Sequence, residues 1–107
     1  MNETFSRDEL LNILRAELPE LRLRFGVERI AIFGSYAKDT AGEQSDVDIL
    51  VQLERPMGLK FFGLAIYLEE KLGRRIDLIT LENLHRNAAN PRRAEIAAEI
   101  ERTLLYA

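Results

Sequence analysis

The chain has 107 residues, with 15 Lys and Arg against 18 Asp and Glu, no cysteine, and a net charge of −3. That length predicts one compact minimal domain over residues 1–107, large enough for a core and too small for an added specificity domain. The absence of cysteine excludes a disulfide framework and a thiolate metal site, in keeping with a reducing cytoplasm, and the net acidity argues against nucleic-acid binding by phosphate neutralisation, which needs a basic stripe.

The opening residues, Met1 to Asp8, carry acids and no apolar signal core. Ser6 with Glu9 three residues on forms a capping-box pattern, followed by Leu10, Leu11, Leu14 and Leu18 at helical spacing. Pro19 is expected to end this helix or start a further turn, and Gly26 to stop the segment. Residues 27–33 then read as a strand, with Ile30-Ala31-Ile32-Phe33 its buried part. Gly34-Ser35 follows directly, ahead of a short helix-compatible stretch, Tyr36-Ala37-Lys38. A polar loop from about Asp39 to Ser45 leads into the apolar strand Val47 to Val51.

Pro56 and Gly58 mark a break before a helix of about Leu59 to Leu72. Phe61, Leu64, Ala65, Leu68 and Leu72 form its core stripe, while Phe62 and Ile66 lie to one side and call for a second cover, either intramolecular or from a partner. The longest uncharged apolar run, Phe61 to Leu68, is far short of the roughly 20 residues that span a bilayer, so a soluble, cytoplasmic protein is expected. Gly73 ends the helix and Arg75 to Ile79 supplies a third strand. His85, the sole histidine, falls in a polar loop and reads as a surface residue. A final helix of about Arg92 to Leu105 places Ile96, Ile100 and Leu104 on one face. Arg74, Arg75, Arg86, Arg92 and Arg93 read as solvated charges, with contact to ATP phosphates or an acidic partner the alternative. The elements describe an α/β fold, a small mixed sheet with helices packed on one side.

The chemistry concentrates in two places. Asp46 and Asp48 are two apart on a strand, so they share a face about 7 Å apart along it. Two like charges beside an apolar sheet are costly unless a cation neutralises them, and oxygen-only ligands favour Mg²⁺ or Mn²⁺ over zinc. Asp77, the one charge within Ile76-Asp77-Leu78-Ile79, is a third ligand and a candidate general base. Gly34 lets the backbone approach a ligand closely, the Ser35 hydroxyl offers a donor to phosphate oxygens, and Lys38 adds a positive charge one turn on. A purely structural account makes Ser35 a helix cap and Asp46 a turn cap, but it leaves the three acids together without an explanation.

Phe33-Gly34-Ser35-Tyr36-Ala37, the ten residues separating Ser35 from Asp46-Val47-Asp48, and the later Ile76-Asp77-Leu78-Ile79 resemble the minimal nucleotidyltransferases (MNT) of the DNA polymerase β-like superfamily. The resemblance runs from about Val27 to Thr80. It implies a nucleotidyltransferase fold with Asp46, Asp48 and Asp77 as metal ligands, and Gly34, Ser35 and Lys38 at the nucleotide. The small size also resembles the MNT half of prokaryotic HEPN–MNT toxin–antitoxin pairs. That implies an antitoxin which transfers AMP from ATP, with Mg²⁺, to a tyrosine of a HEPN ribonuclease partner. Family members usually carry Arg-Gly after the alanine, whereas this chain has Lys38-Asp39, which keeps the charge and adds an acid near the triphosphate site. Two other readings are a non-catalytic antitoxin acting by occlusion and a nucleotidyltransferase for a small molecule, the latter with little room for an enclosing pocket.

Overall fold

The computed structural model describes residues 5–107; Met1 to Thr4, read above as part of an N-terminus without a signal core, lie outside them. Ser6 caps the first helix, α1 (Arg7–Phe25), as expected. Its hydroxyl accepts the Glu9 amide at 3.1 Å, and the Glu9 carboxylate accepts the Ser6 amide at 3.0 Å. The helix runs through Pro19 rather than ending there. An interior proline removes one backbone bond and costs ~3 kcal/mol, but each buried leucine contributes about 1.5–3 kcal/mol. Continuing the helix brings fully buried Leu21 into the core beside Leu10 and Leu14, which offsets the loss. Gly26, at φ 69°, then ends it by donating to the carbonyls of Leu21 and Arg22.

Four strands follow in the order β3-β2-β1-β4. β1 (Val27–Phe33) runs antiparallel to β2 (Val47–Leu53) and to β4 (Leu105–Tyr106), while β3 (Ile76–Thr80) lies parallel to β2. The sheet is mixed, as expected, but helices cover both faces rather than one. α1 and α3 (Lys60–Leu72) pack against Ile30, Ile32, Val47, Ile49 and Val51. On the reverse face, α4 (Leu81–Ala88) and α5 (Ala94–Thr103) bring Leu84 and Ala97 against Ala31, Phe33 and Leu50. Successive side chains of a strand point to opposite faces. The unbroken buried run from Ile30 to Phe33 therefore requires a cover on each side.

The C-terminal half departs from expectation in three further ways. His85 is exposed, as read, yet stands on α4 rather than in a loop; Thr80 caps this helix by accepting the Asn83 amide at 3.0 Å. The last helix ends at Thr103, and Leu105–Tyr106 instead pairs with Ile32 and Ala31. Ile100 and Leu104 of the expected face do pack against the reverse-face core, but the fully buried residue of the helix is Ala97, and Ile96 is 64% exposed. A small residue at the contact lets the helix close on β1. On α3, Leu64, Leu68 and Leu72 are buried as the stripe predicts, but Phe62 (66% exposed) and Ile66 (55%) receive no intramolecular cover among the described residues. No helix among the described residues is long and apolar enough to cross a membrane.

Candidate active site at the head of the sheet

Strand register assembles the site. Phe33, the last residue of β1, pairs with Asp48, and Asp48 in turn pairs with Asp77 across the parallel β2–β3 ladder. Asp48 shares its sheet face with Leu50, on the α4 and α5 side. Asp46 lies exposed just before β2 and is close enough to act on Asp48 electrostatically. All three acids are thus brought to one end of the sheet, although 31 positions separate Asp46 from Asp77 in sequence. Partial burial, then the charge of Asp77, then that of Asp46 push the Asp48 carboxyl up to about 6, from an ordinary value of 3.8.

Gly34 closes the other side of Asp48. Its φ is +69°, and a Cβ built there would sit 2.3 Å from Asp48 Oδ2, so a side chain is excluded both by backbone conformation and by space. The residue opens the short helix α2 (Gly34–Ala37), whose N-cap Phe33 supplies no side-chain cap. The Gly34 amide is not free for a ligand, however: it donates to Thr103 Oγ1, from the end of α5, at 3.0 Å. Sequence reading missed Thr103, which carries no motif and lies 69 residues away. Ser35 is half-buried next to Gly34, and its carbonyl accepts the Thr40 amide at 2.9 Å, folding the following loop back on the turn.

Lys38 is exposed at the C-cap of α2 and lies within the field of Glu99 on α5. Arg102, hydrogen-bonded to Glu99, holds that carboxyl below its ordinary range, and Lys38 adds a smaller effect in the same direction. Asp39 occupies the position where the resembling family carries glycine, and its φ is +60°, a left-handed conformation that aspartate tolerates better than most residues. Its Oδ1 accepts the Arg7 amide at 3.1 Å, so the extra acid caps the first turn of α1.

The donor set suits a hard divalent cation. It offers carboxylate oxygens only, one of them pushed up by partial burial and then by the neighbouring charges, and glycine at position 34 leaves room for Asp48 Oδ2 where a Cβ would collide with it. Among the described residues no three acidic or imidazole groups already converge as an ion cage. A groove of about 670 Å³, lined by Met57, Phe61, Phe62, Leu81, His85 and Arg86 among others, lies at the other end of β2 and β3. It takes in Gln52 and Thr80, some 10 Å or more along the strands from Asp48 and Asp77.

The nucleotidyltransferase domain family matches residues 8–105. The protein adenylyltransferase MntA of Thermococcus cleftensis is 51% identical over 78 residues, covering 72% of this chain and 79% of that protein. A Methanocaldococcus jannaschii protein named for the same activity is 39% identical over 99 residues, covering 92% of this chain and 94% of its own. Among solved structures, one described as a minimal nucleotidyltransferase superposes with a TM-score of 0.67 at 28% identity, covering 97% of this chain and 98% of that one. A toxin–antitoxin crystal structure with AMP-PNP contains a chain with a TM-score of 0.52 at 26% identity, covering 73% of this chain and 59% of that chain.

Proposed function

This chain belongs to the nucleotidyltransferase domain family, and on that premise we propose that it transfers AMP from ATP to a tyrosine hydroxyl of a HEPN ribonuclease toxin, acting as its antitoxin. The observation that carries the reading is the register Phe33–Asp48–Asp77, which sets the Gly34-Ser35 turn on one side of Asp48 and a second acid on the other. The similarity to a protein adenylyltransferase supports AMP as the group transferred, and the similarity to a toxin–antitoxin chain supports a protein acceptor.

Asp46, Asp48 and Asp77 would hold the divalent cation, Mg²⁺ or Mn²⁺, which when bound supplies charge neutralisation at the triphosphate and at the departing pyrophosphate. The Ser35 hydroxyl and the α2 amides after Gly34 receive phosphate oxygens, and Lys38 places positive charge at the rim. Asp77 is exposed at the outer side of the site, where an acceptor carried by another protein can reach it. Its carboxylate accepts the proton of the attacking hydroxyl. A new bond forms between that oxygen and the α-phosphorus, and the bond from the α-phosphorus to the bridging oxygen breaks as pyrophosphate leaves.

One observation favours a second reading, neutralisation by binding alone. Leu59, Phe62 and Ile66 leave an uncovered apolar stripe on α3 that could seat on a partner without chemistry. Co-expression with a HEPN partner and mass spectrometry of that partner separates the two. AMP on a partner tyrosine supports transfer; protection of cells with the partner unmodified supports occlusion.

A further inference from the structure

We propose that Thr103 is a positioning residue for nucleotidyl transfer, its hydroxyl holding the Gly34 turn flush against Asp48. The proposal rests on the reading of the site as a nucleotidyltransferase centre and extends it to a residue outside the motif. The first amides of a helix have no intrahelical acceptor, and the N-cap Phe33 offers no side-chain substitute. Thr103 Oγ1 fills the role from a distance, accepting the Gly34 N–H at 3.0 Å.

The hydroxyl is itself fixed in direction. It lies within 3.2 Å of the Ile100 carbonyl and 3.3 Å of the Glu99 carbonyl, so its proton is given back to α5 while its lone pair faces Gly34. α5 in turn is anchored against β1 by Ala97 and by the pairing of Leu105 and Tyr106 with Ile32 and Ala31. Rigid elements therefore fix the turn from both ends: β1 delivers Gly34, and α5 clamps it. Gly34 stands so close to Asp48 Oδ2 that any shift of the turn also changes the space available to that carboxylate. Thr103 acts through Gly34, its hydroxyl being engaged by that amide and by the Glu99 and Ile100 carbonyls of α5. Displacements of about 1 Å at a reacting centre cost on the order of 100-fold.

Thr103→Val keeps the shape and removes the acceptor, whereas Thr103→Ser keeps the acceptor. The full chain is assayed for affinity to Mg·ATP by calorimetry and for AMP transfer to the co-expressed HEPN partner, both well below the melting temperature. The expected result is a fall of about 10- to 100-fold in kcat/KM for Val, with weaker Mg·ATP binding, and near-complete rescue by Ser. A structural role alone lowers the melting temperature of Val but leaves Mg·ATP affinity and turnover per folded molecule unchanged, and that result overturns the proposal. If Val does not fold, Thr103→Cys, a poor acceptor of similar size, replaces it, and activity equal to that of Ser overturns the proposal equally. A wild type that binds Mg·ATP but modifies no partner removes the transfer reading and leaves the affinity comparison to decide the role of Thr103. A wild type that binds no Mg·ATP overturns both.

Discussion

Asp48 is held where its charge is least welcome, half-buried and between two other acids, and its carboxyl is pushed up to about 6 as a result. An acid whose folded value lies above its ordinary value costs stability when ionised. The cost is absent below about 3.8 and complete above about 6, so the metal-free protein should gain stability as pH falls from 7 towards 4 through this group. For a fully enclosed carboxyl the displacement corresponds to ~3 kcal/mol; water at the half-open group reduces the expectation to about 1 kcal/mol. Asp48→Asn should therefore melt about 5 °C higher than wild type at pH 7, with the gap closing near pH 4, and should transfer no AMP. Calorimetric melts of both proteins across that range check it, and a variant that melts well below wild type at pH 7 would make Asp48 a structural group. Gly34→Ala should fail differently. Strain at φ +69° costs about 1–2 kcal/mol, and the new Cβ meets Asp48 Oδ2, so both stability and Mg·ATP binding should drop. Asp39→Gly trades a helix cap for a relaxed backbone, and its melting point and Mg·ATP affinity should stay close to wild type.

Among the elements, those whose signal is local were legible in the sequence. The Ser6–Glu9 box, the glycine stops at Gly26 and Gly73, and the first three strands all stand where spacing and turn chemistry put them. The convergence of the three acids at one end of the sheet was suggested for the same reason, because Asp48 lies on an apolar strand with Asp46 just before it, and Asp77 interrupts another apolar run. What escaped depends on contacts between distant segments. The unbroken apolar run Ile30 to Phe33 implies a second helical layer, but the segments that supply it, α4 and α5, lie about 50 residues or more downstream and carry few large apolar residues of their own. Hydrophobic periodicity found Ile100 and Leu104 on the packed face of α5 but put Ile96 with them, where close approach to β1 instead selects the small Ala97. Thr103 was invisible for a related reason: a lone threonine at the end of a helix shows nothing of a partner 69 residues away in sequence. The clamp makes the head of the site depend on α5. Ala97→Leu, which forces α5 off β1, should cost about 1–3 kcal/mol of stability, lower the melting temperature and weaken Mg·ATP binding. Unchanged affinity in a destabilised Ala97→Leu protein would separate the site from that helix.

At the scale of the whole molecule, a net charge of −3 and a site made of carboxylates oppose a polyanionic nucleotide, so association should require the divalent ion. Calorimetry should show ATP binding with Mg²⁺ or Mn²⁺ and none with chelator; equal affinity in the two conditions removes the metal assignment.

The arrangement of surfaces bears on the proposed antitoxin role, because it sets two routes to neutralisation apart. The exposed stripe of Phe62 and Ile66 on α3, with Leu59 at its N-cap, belongs to the helix that covers the sheet face opposite the acids, whereas Asp77 opens outward at the head of the sheet. Binding and chemistry are therefore separable by mutation. Asp77→Asn removes the proton acceptor while keeping shape, Asp46, Asp48 and the Gly34-Ser35 turn, so it should bind Mg·ATP within about tenfold of wild type and leave the HEPN partner unlabelled. Phe62→Ser with Ile66→Ser should leave Mg·ATP binding intact and weaken only association with the partner. If neutralisation is catalytic, cells carrying the toxin survive with wild type and die with Asp77→Asn, and mass spectrometry finds AMP on a partner tyrosine only in the survivors. If instead Asp77→Asn protects as well as wild type and the stripe variant does not, neutralisation resides in the α3 surface and transfer is dispensable to it.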